Sequence, residues 1–150
     1  MFLASHGVKR RETRVRREFA RDPGIGLLLA AVNLEWTLSR AILFLGSTPN
    51  QALRKLMRSS RSLKGYAQLW KKEATECKPL NGIISDWAGV LKAFEWRNLP
   101  VHGVDRCTRN MAKPHINVLL EAVSDVDGYC ASIGVDLTDR MPVRRTERAV

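Results

Sequence analysis

The run Gly24-IGLLLAAVNLEWTLSRAILFL-Gly46 decides how this chain folds. It is apolar on almost every side and long enough to span a bilayer. Asn33, Glu35 and Arg40 nevertheless fall near its middle. Each of the two charges would cost about 2.5–3.5 kcal/mol at the centre of a membrane. Ile25 to Leu45 therefore reads as a core helix that Gly46 ends. Its all-round apolar surface suits a central helix, or one shared with a second subunit.

Outward from this run, apolar residues keep recurring at threes and fours, the helical period, with no alternating strand pattern and no internal repeat. Val8 to Arg21 reads as a highly charged helix with Arg10, Arg14, Arg17 and Arg21 down one stripe, broken by Asp22-Pro23-Gly24. Ser47-Thr48-Pro49 restarts the chain, with Thr48 placed to cap and Pro49 at the first helical position. Asn81 to Glu95 predicts a further helix, interrupted at Leu99-Pro100. Pro114 opens the last one, whose core face is Ile116, Leu119, Leu120, Val123, Val126, Cys130 and Ile133. Beyond Gly134 the chain turns polar and Arg-rich and is expected to be a flexible tail. The fold class is all-α. Residues 1–23 are expected to form a basic helix or arm, 24–133 a helical domain and 134–150 a basic tail.

The formal net charge is +10 over 150 residues, which points to a polyanionic partner. Residues 1–23 carry seven positive and three negative charges and residues 134–150 four and three, so +5 remains on the middle of the chain. Much of it lies between Arg54 and Lys72, where Arg54, Lys55, Arg58, Arg61, Lys64, Lys71 and Lys72 occur without a single acid. Six of these, Lys55 aside, are the candidate RNA-binding residues. Trp70, beside Lys71 and Lys72, is a candidate for stacking on a base. Trp36, Trp87 and Trp96 read as core. The cysteines Cys77, Cys107 and Cys130 are scattered, with no CxxC and no histidine at metal-ligand spacing. They read as reduced thiols, and no metal or cofactor is implied. Met1 to Arg17 has no apolar signal core, and a cytoplasmic, membrane-free protein is expected.

The stretch that carries chemistry is Ala93-Phe94-Glu95-Trp96-Arg97-Asn98-Leu99-Pro100-Val101-His102-Gly103. Ile83, Trp87, Val90 and Phe94 make one apolar helical stripe, and Arg97 continues it. A guanidinium emerging from a buried face needs an anionic partner. That partner is either a functional anion or Glu35, the acid inside the first core helix. If Pro100 starts a new turn, His102 sits near a helix N-terminus, whose dipole opposes protonating the imidazole. A neutral histidine can take a proton from a ribose 2′-OH while the fixed guanidinium fork holds the phosphate as charge builds.

This Arg-Asn-x-x-x-His pattern at the end of an apolar helix, followed by Gly, resembles the HEPN superfamily, whose ribonuclease members carry Arg-x(4–6)-His. The resemblance covers most of residues 24–133 in helix order and length, with sharp matching only at 94–103. It implies an antiparallel bundle of four to five core helices, here with an extra charged N-terminal helix. It also implies a metal-independent endoribonuclease, a toxin or defence effector, acting as a homodimer. By resemblance Arg97 binds the phosphate, Asn98 is its polar neighbour, His102 transfers the proton and Glu35 faces the site. Arg109 and His115 also match the bare pattern but straddle Pro114 with no apolar helix leading in. Two other functions fit the composition. One is a non-catalytic nucleic-acid-binding module. The other is a subunit that docks onto a partner, such as an antitoxin or a nucleotidyltransferase.

Overall fold

The computed structural model describes residues 6–60, 62–101 and 107–145, and every regular element among them is a helix. Arg61 and His102 lie outside the described residues. The helices are α1 (Val8–Arg21), α2 (Pro23–Leu45), α3 (Asn50–Ser59), α4 (Leu63–Glu73), α5 (Leu80–Ile83), α6 (Trp87–Val101) and α7 (Arg109–Ser132).

α2 is the axis around which the rest is built. α7 packs along it most extensively, with α1, α6, α4 and α3 filling the remaining sides. Leu27, Leu34, Leu38 and Ile42 are fully buried, and burying each such side chain contributes about 1.5–3 kcal/mol. By length and composition α2 could also cross a membrane. Its three polar interruptions, however, all find partners within the fold. The Asn33 Oδ1 accepts from Arg11 Nε at 2.8 Å. Glu35 pairs with Arg97. Arg40 donates to the carbonyls of Leu137 and Asp139.

α1 and α2 form an antiparallel hairpin across Asp22 alone. The Asp22 carboxylate accepts from the backbone N–H of Gly24 and Ile25 at 2.9 and 3.2 Å, capping a helix that Pro23 opens where no N–H is needed. Phe19 meets Gly26 so closely that a Cβ there would lie 2.6 Å from the Phe19 Cα. The N-terminal helix is thus a layer of the fold, with Val15 fully buried. Its decisive residue is one that the exposed arginine stripe had hidden. Arg11 is 1% exposed, bound to Asn33 and to the His6 carbonyl, and lies 4.3 Å from the centre of the Trp36 ring.

Four local expectations are corrected. α6 does not end at Pro100 but continues to Val101, so no helix starts at Pro100 and the dipole argument built on that start falls away. Ile83 belongs to the short α5 rather than to α6. α7 begins at Arg109, capped by Thr108, whose hydroxyl accepts from the Met111 N–H at 3.3 Å; Pro114 lies inside the helix. A proline so near the start forfeits one hydrogen bond without ending the helix. Pro49 precedes α3 rather than opening it, and Thr48 does not cap it.

The Thr48 hydroxyl instead donates to Glu73, which is 6% exposed and also accepts from the backbone N–H of Ser47 and Thr48 at 3.1 and 3.2 Å. Burial alone would raise the Glu73 pKa. The hydrogen bonds from Thr48 and Ser47, helped by Lys72, outweigh it and hold the carboxyl below its ordinary value. A depressed folded pKa means stability that is complete above the unfolded value of about 4.3 and is lost as pH falls through the folded one. Glu73→Gln is expected to cost about 2 kcal/mol at neutral pH. Thermal melts should show that deficit shrinking as pH falls below about 4.3, where the unfolded carboxyl protonates, and levelling off below the lower folded pKa.

The segment after α7 also departs from expectation. Leu137 is 1% exposed. The Asn50 amide donates to the Pro142 carbonyl at 2.7 Å, and Arg144 donates to the carbonyls of Thr48 and Leu43 at 2.9 and 2.8 Å. Residues 135–145 are therefore a strap over α2 and α3, and Arg144 is spent on the fold. The expected core stripe of α7 is buried from Ile116 to Cys130, whereas Ile133, past the helix end, is 45% exposed. Burial pushes the Cys130 thiol up to about 12, which makes it an inert packing group.

Candidate functional site

α2, α3, α4 and α6 converge on an open cleft of about 550 Å³. Glu35 and Ser39 reach it from α2, Arg54 and Arg58 from α3, Tyr66 from α4 and Arg97 from α6. The helical period explains the assembly. Glu35 and Ser39 are four residues apart on one face of α2, and Arg54 and Arg58 repeat that spacing on α3. On α6, Val90 and Phe94 are buried and Arg97 continues their stripe to the edge of the core.

Arg97 is held on three sides. Its Nη1 donates to Glu35 Oε1, its Nε points to Asn98 Oδ1 at 3.4 Å, and its guanidinium carbon lies 4.8 Å from the centre of the Phe94 ring. The side chains of Arg97 and Glu35 keep 17% and 25% of their surface, so the pair opens to solvent through the cleft. Asn98 itself is exposed. Three guanidiniums against one carboxylate leave the cleft at +2. That balance, with a planar fork fixed in orientation, suits a phosphate.

Tyr66 is the cleft residue that sequence reasoning passed over. Its hydroxyl accepts from Ser39 Oγ at 3.3 Å. Burial raises the phenol pKa, opposed by the Ser39 hydrogen bond and by Arg97 and reinforced by Glu35, so it stays protonated at neutral pH. The signal for it was present but ambiguous. An aromatic within a basic run says nothing of which way it faces.

The basic residues predicted to bind RNA divide in two. Arg54 and Arg58 share the cleft with Arg97 and Glu35. Lys64, Lys71 and Lys72 stand exposed on α4, and Lys71 borders a different cavity. Trp70 is not available for stacking on a base. It is 1% exposed and its indole N–H donates to the Lys78 carbonyl at 2.9 Å. The second Arg/His pair is engaged away from the cleft. Arg109 donates to the Ala20 carbonyl, and His115 stacks on Trp96 with ring centres 5.2 Å apart. Burial, then Lys92, lower the His115 pKa. Among the described residues, no three of His, Cys, Asp and Glu converge as a metal site would require.

No protein-family model matches the chain, and neither a curated protein nor a solved structure does. What the cleft does must be argued from its own side chains.

Proposed function

We propose that the protein is a metal-independent endoribonuclease of the HEPN type, acting through the cleft that holds Glu35 and Arg97. The observation that carries this reading is the meeting of Arg97 with Arg54 and Arg58 in one solvent-open cleft. The residue chosen for chemistry and two of those chosen for RNA binding share a single site. In the proposed reaction His102 takes the proton of a ribose 2′-OH, and that oxygen attacks the adjacent phosphorus. Arg97, oriented by Glu35 and Asn98, holds the phosphate as charge builds. The P–O5′ bond breaks, the 5′-oxygen leaves as a hydroxyl with the proton returned from His102 through solvent, and a 2′,3′-cyclic phosphate remains. Purified protein is expected to cleave single-stranded RNA in excess EDTA, as gel analysis of a labelled transcript would show. A strict requirement for magnesium would contradict the mechanism.

The wider proposal is a HEPN-like bundle acting as a cytoplasmic homodimer in toxin or defence systems, and one feature supports its dimeric part. Ile25 and Val32, seven residues apart on one face of α2, are 50% and 40% exposed. That face continues to Glu35, so a second copy seated there would lie beside the cleft. Ile25→Asp combined with Val32→Asp is expected to convert a dimer to a monomer, measured by light scattering.

The second reading, a nucleic-acid-binding module without catalysis, is favoured by the Glu35–Arg97 pair, which already gives Arg97 an anion. Under that reading His102→Ala would leave RNA affinity and phenotype unchanged. Both readings require steep salt dependence. Arg54→Ala with Arg58→Ala should lower the slope of log affinity against log salt by about 0.7 per lost phosphate contact.

A further inference from the structure

α4 and α6 both pack against α2 but hardly touch each other. Both helices wall the Arg97 cleft, through Tyr66 and Arg97, and both wall a second cavity of about 580 Å³, through Ala67, Lys71 and Trp87. That cavity takes its aromatic wall from Trp87, its apolar floor from Ala67 and Leu80, and its rim from Gln68, Lys71 and Asn81. None of the residues lining it is acidic. Trp87 is only half buried, unlike Trp70 behind it. Lys64, Gln68 and Lys71, spaced four and three, lie on one exposed stripe of α4, and Gln68 and Lys71 border this cavity.

We infer that the second cavity is a base-binding subsite for single-stranded RNA held at the Arg97 cleft, with one unpaired base seated against Trp87 and the neighbouring phosphate near Lys71. The inference rests on the RNA reading of the cleft and adds to it a base-binding subsite. Trp87 and Arg97 are ten residues apart on α6, about 15 Å along the helix, so the seated base belongs to a nucleotide a few steps from the scissile bond. The chemistry favours a nucleobase. A flat aromatic face stacks on any base, the rim amides offer hydrogen bonds to its edge, and lysine without competing acid suits the phosphates.

The test measures binding of a short 2′-O-methyl oligoribonucleotide, which cannot be cleaved, and of versions carrying an abasic residue at each position in turn. For the wild type, one abasic position is expected to weaken binding about ten-fold. Trp87→Leu should lose a similar factor on the intact oligonucleotide and then ignore that position, whereas Trp87→Phe should keep the wild-type pattern. Lys71→Glu, an exposed change, should weaken every version. Photocrosslinking of wild-type protein to a 5-iodouridine oligonucleotide should label the peptide 79–92, whether or not the Trp87 variants fold. Overturning results are equal abasic sensitivity in wild type and Trp87→Leu, or crosslinks confined to other peptides. If those results came with affinity still lost in Arg54→Ala, the subsite would fail and the cleft reading would stand. Absence of wild-type RNA binding even at low salt would overturn both.

Discussion

Arg97→Ala is expected to slow RNA cleavage by about 10²–10³-fold, the usual loss when one fixed donor to developing charge is removed. His102→Ala should cost about 10²–10⁴-fold, as for loss of a general acid or base. The thermal midpoint separates this from a merely structural role for Arg97. The Arg97–Glu35 pair keeps 17% and 25% of its side-chain surface, so losing one partner should cost about 1–2 kcal/mol, more than for an exposed pair and less than for a fully buried one. Arg97→Ala should therefore melt within a few degrees of wild type while cleaving hardly at all. Arg97→Lys should recover little, because a point charge cannot grip Glu35 and a phosphate oxygen with one planar fork. A large loss of stability with cleavage intact would make the pair a structural contact and favour the binding-module reading.

Arg11→Ala is expected to cost about 3 kcal/mol, lowering the thermal midpoint by about 6–12 °C for a domain of this size. The reason is what the side chain leaves behind. Asn33 and Thr37 are both fully buried, and Arg11 donates to Asn33 Oδ1 at 2.8 Å and toward Thr37 Oγ1 at 3.5 Å. Removing the guanidinium strands polar groups between α1 and α2 and opens a hole beside Trp36. Arg10→Ala, one residue away but exposed, should stay within about 0.5 kcal/mol. Differential scanning calorimetry of the two variants side by side checks the contrast. Equal, small effects would mean that the α1–α2 seam does not depend on Arg11.

The contrast between these neighbouring arginines shows where sequence reading succeeds and where it stops. Period and burial are local quantities. The apolar stripe of α7 and the central place of α2 could be read directly, as could the inward continuation of Val90 and Phe94 to Arg97. Glu35 was already a candidate partner for that arginine, because a buried charge must find its opposite. Orientation around a helix of mixed character is different. Arg11 lies among so many arginines that its turn toward α2 leaves no pattern, and Trp70 and Trp87 exchange the exposure that their neighbours suggest. Lys71 and Lys72, beside Trp70, stand exposed while its indole turns inward. Proline was over-read twice, at Pro100 and Pro114, since one forfeited hydrogen bond does not end a well-packed helix. The strap at 135–145 was illegible for another reason. Its anchors are backbone carbonyls caught by Arg40 and Arg144 donating its guanidinium to Thr48 and Leu43, and a polar segment with a single buried leucine looks like a tail. The joining of Arg54 and Arg58 to Arg97 depends on how α3 packs, which no local pattern encodes.

The central claim, that this cleft turns a ribose 2′-OH against its own phosphate, is tested most directly by the ends it leaves. Mass spectrometry of a defined RNA cleaved in EDTA, beside the same RNA with one 2′-deoxy residue at the cut, reads both ends at once. A 2′,3′-cyclic phosphate with a 5′-hydroxyl is expected, together with no cleavage at the deoxy position. Fragments bearing 5′-phosphates, or a deoxy substrate cut at the same rate, would contradict it.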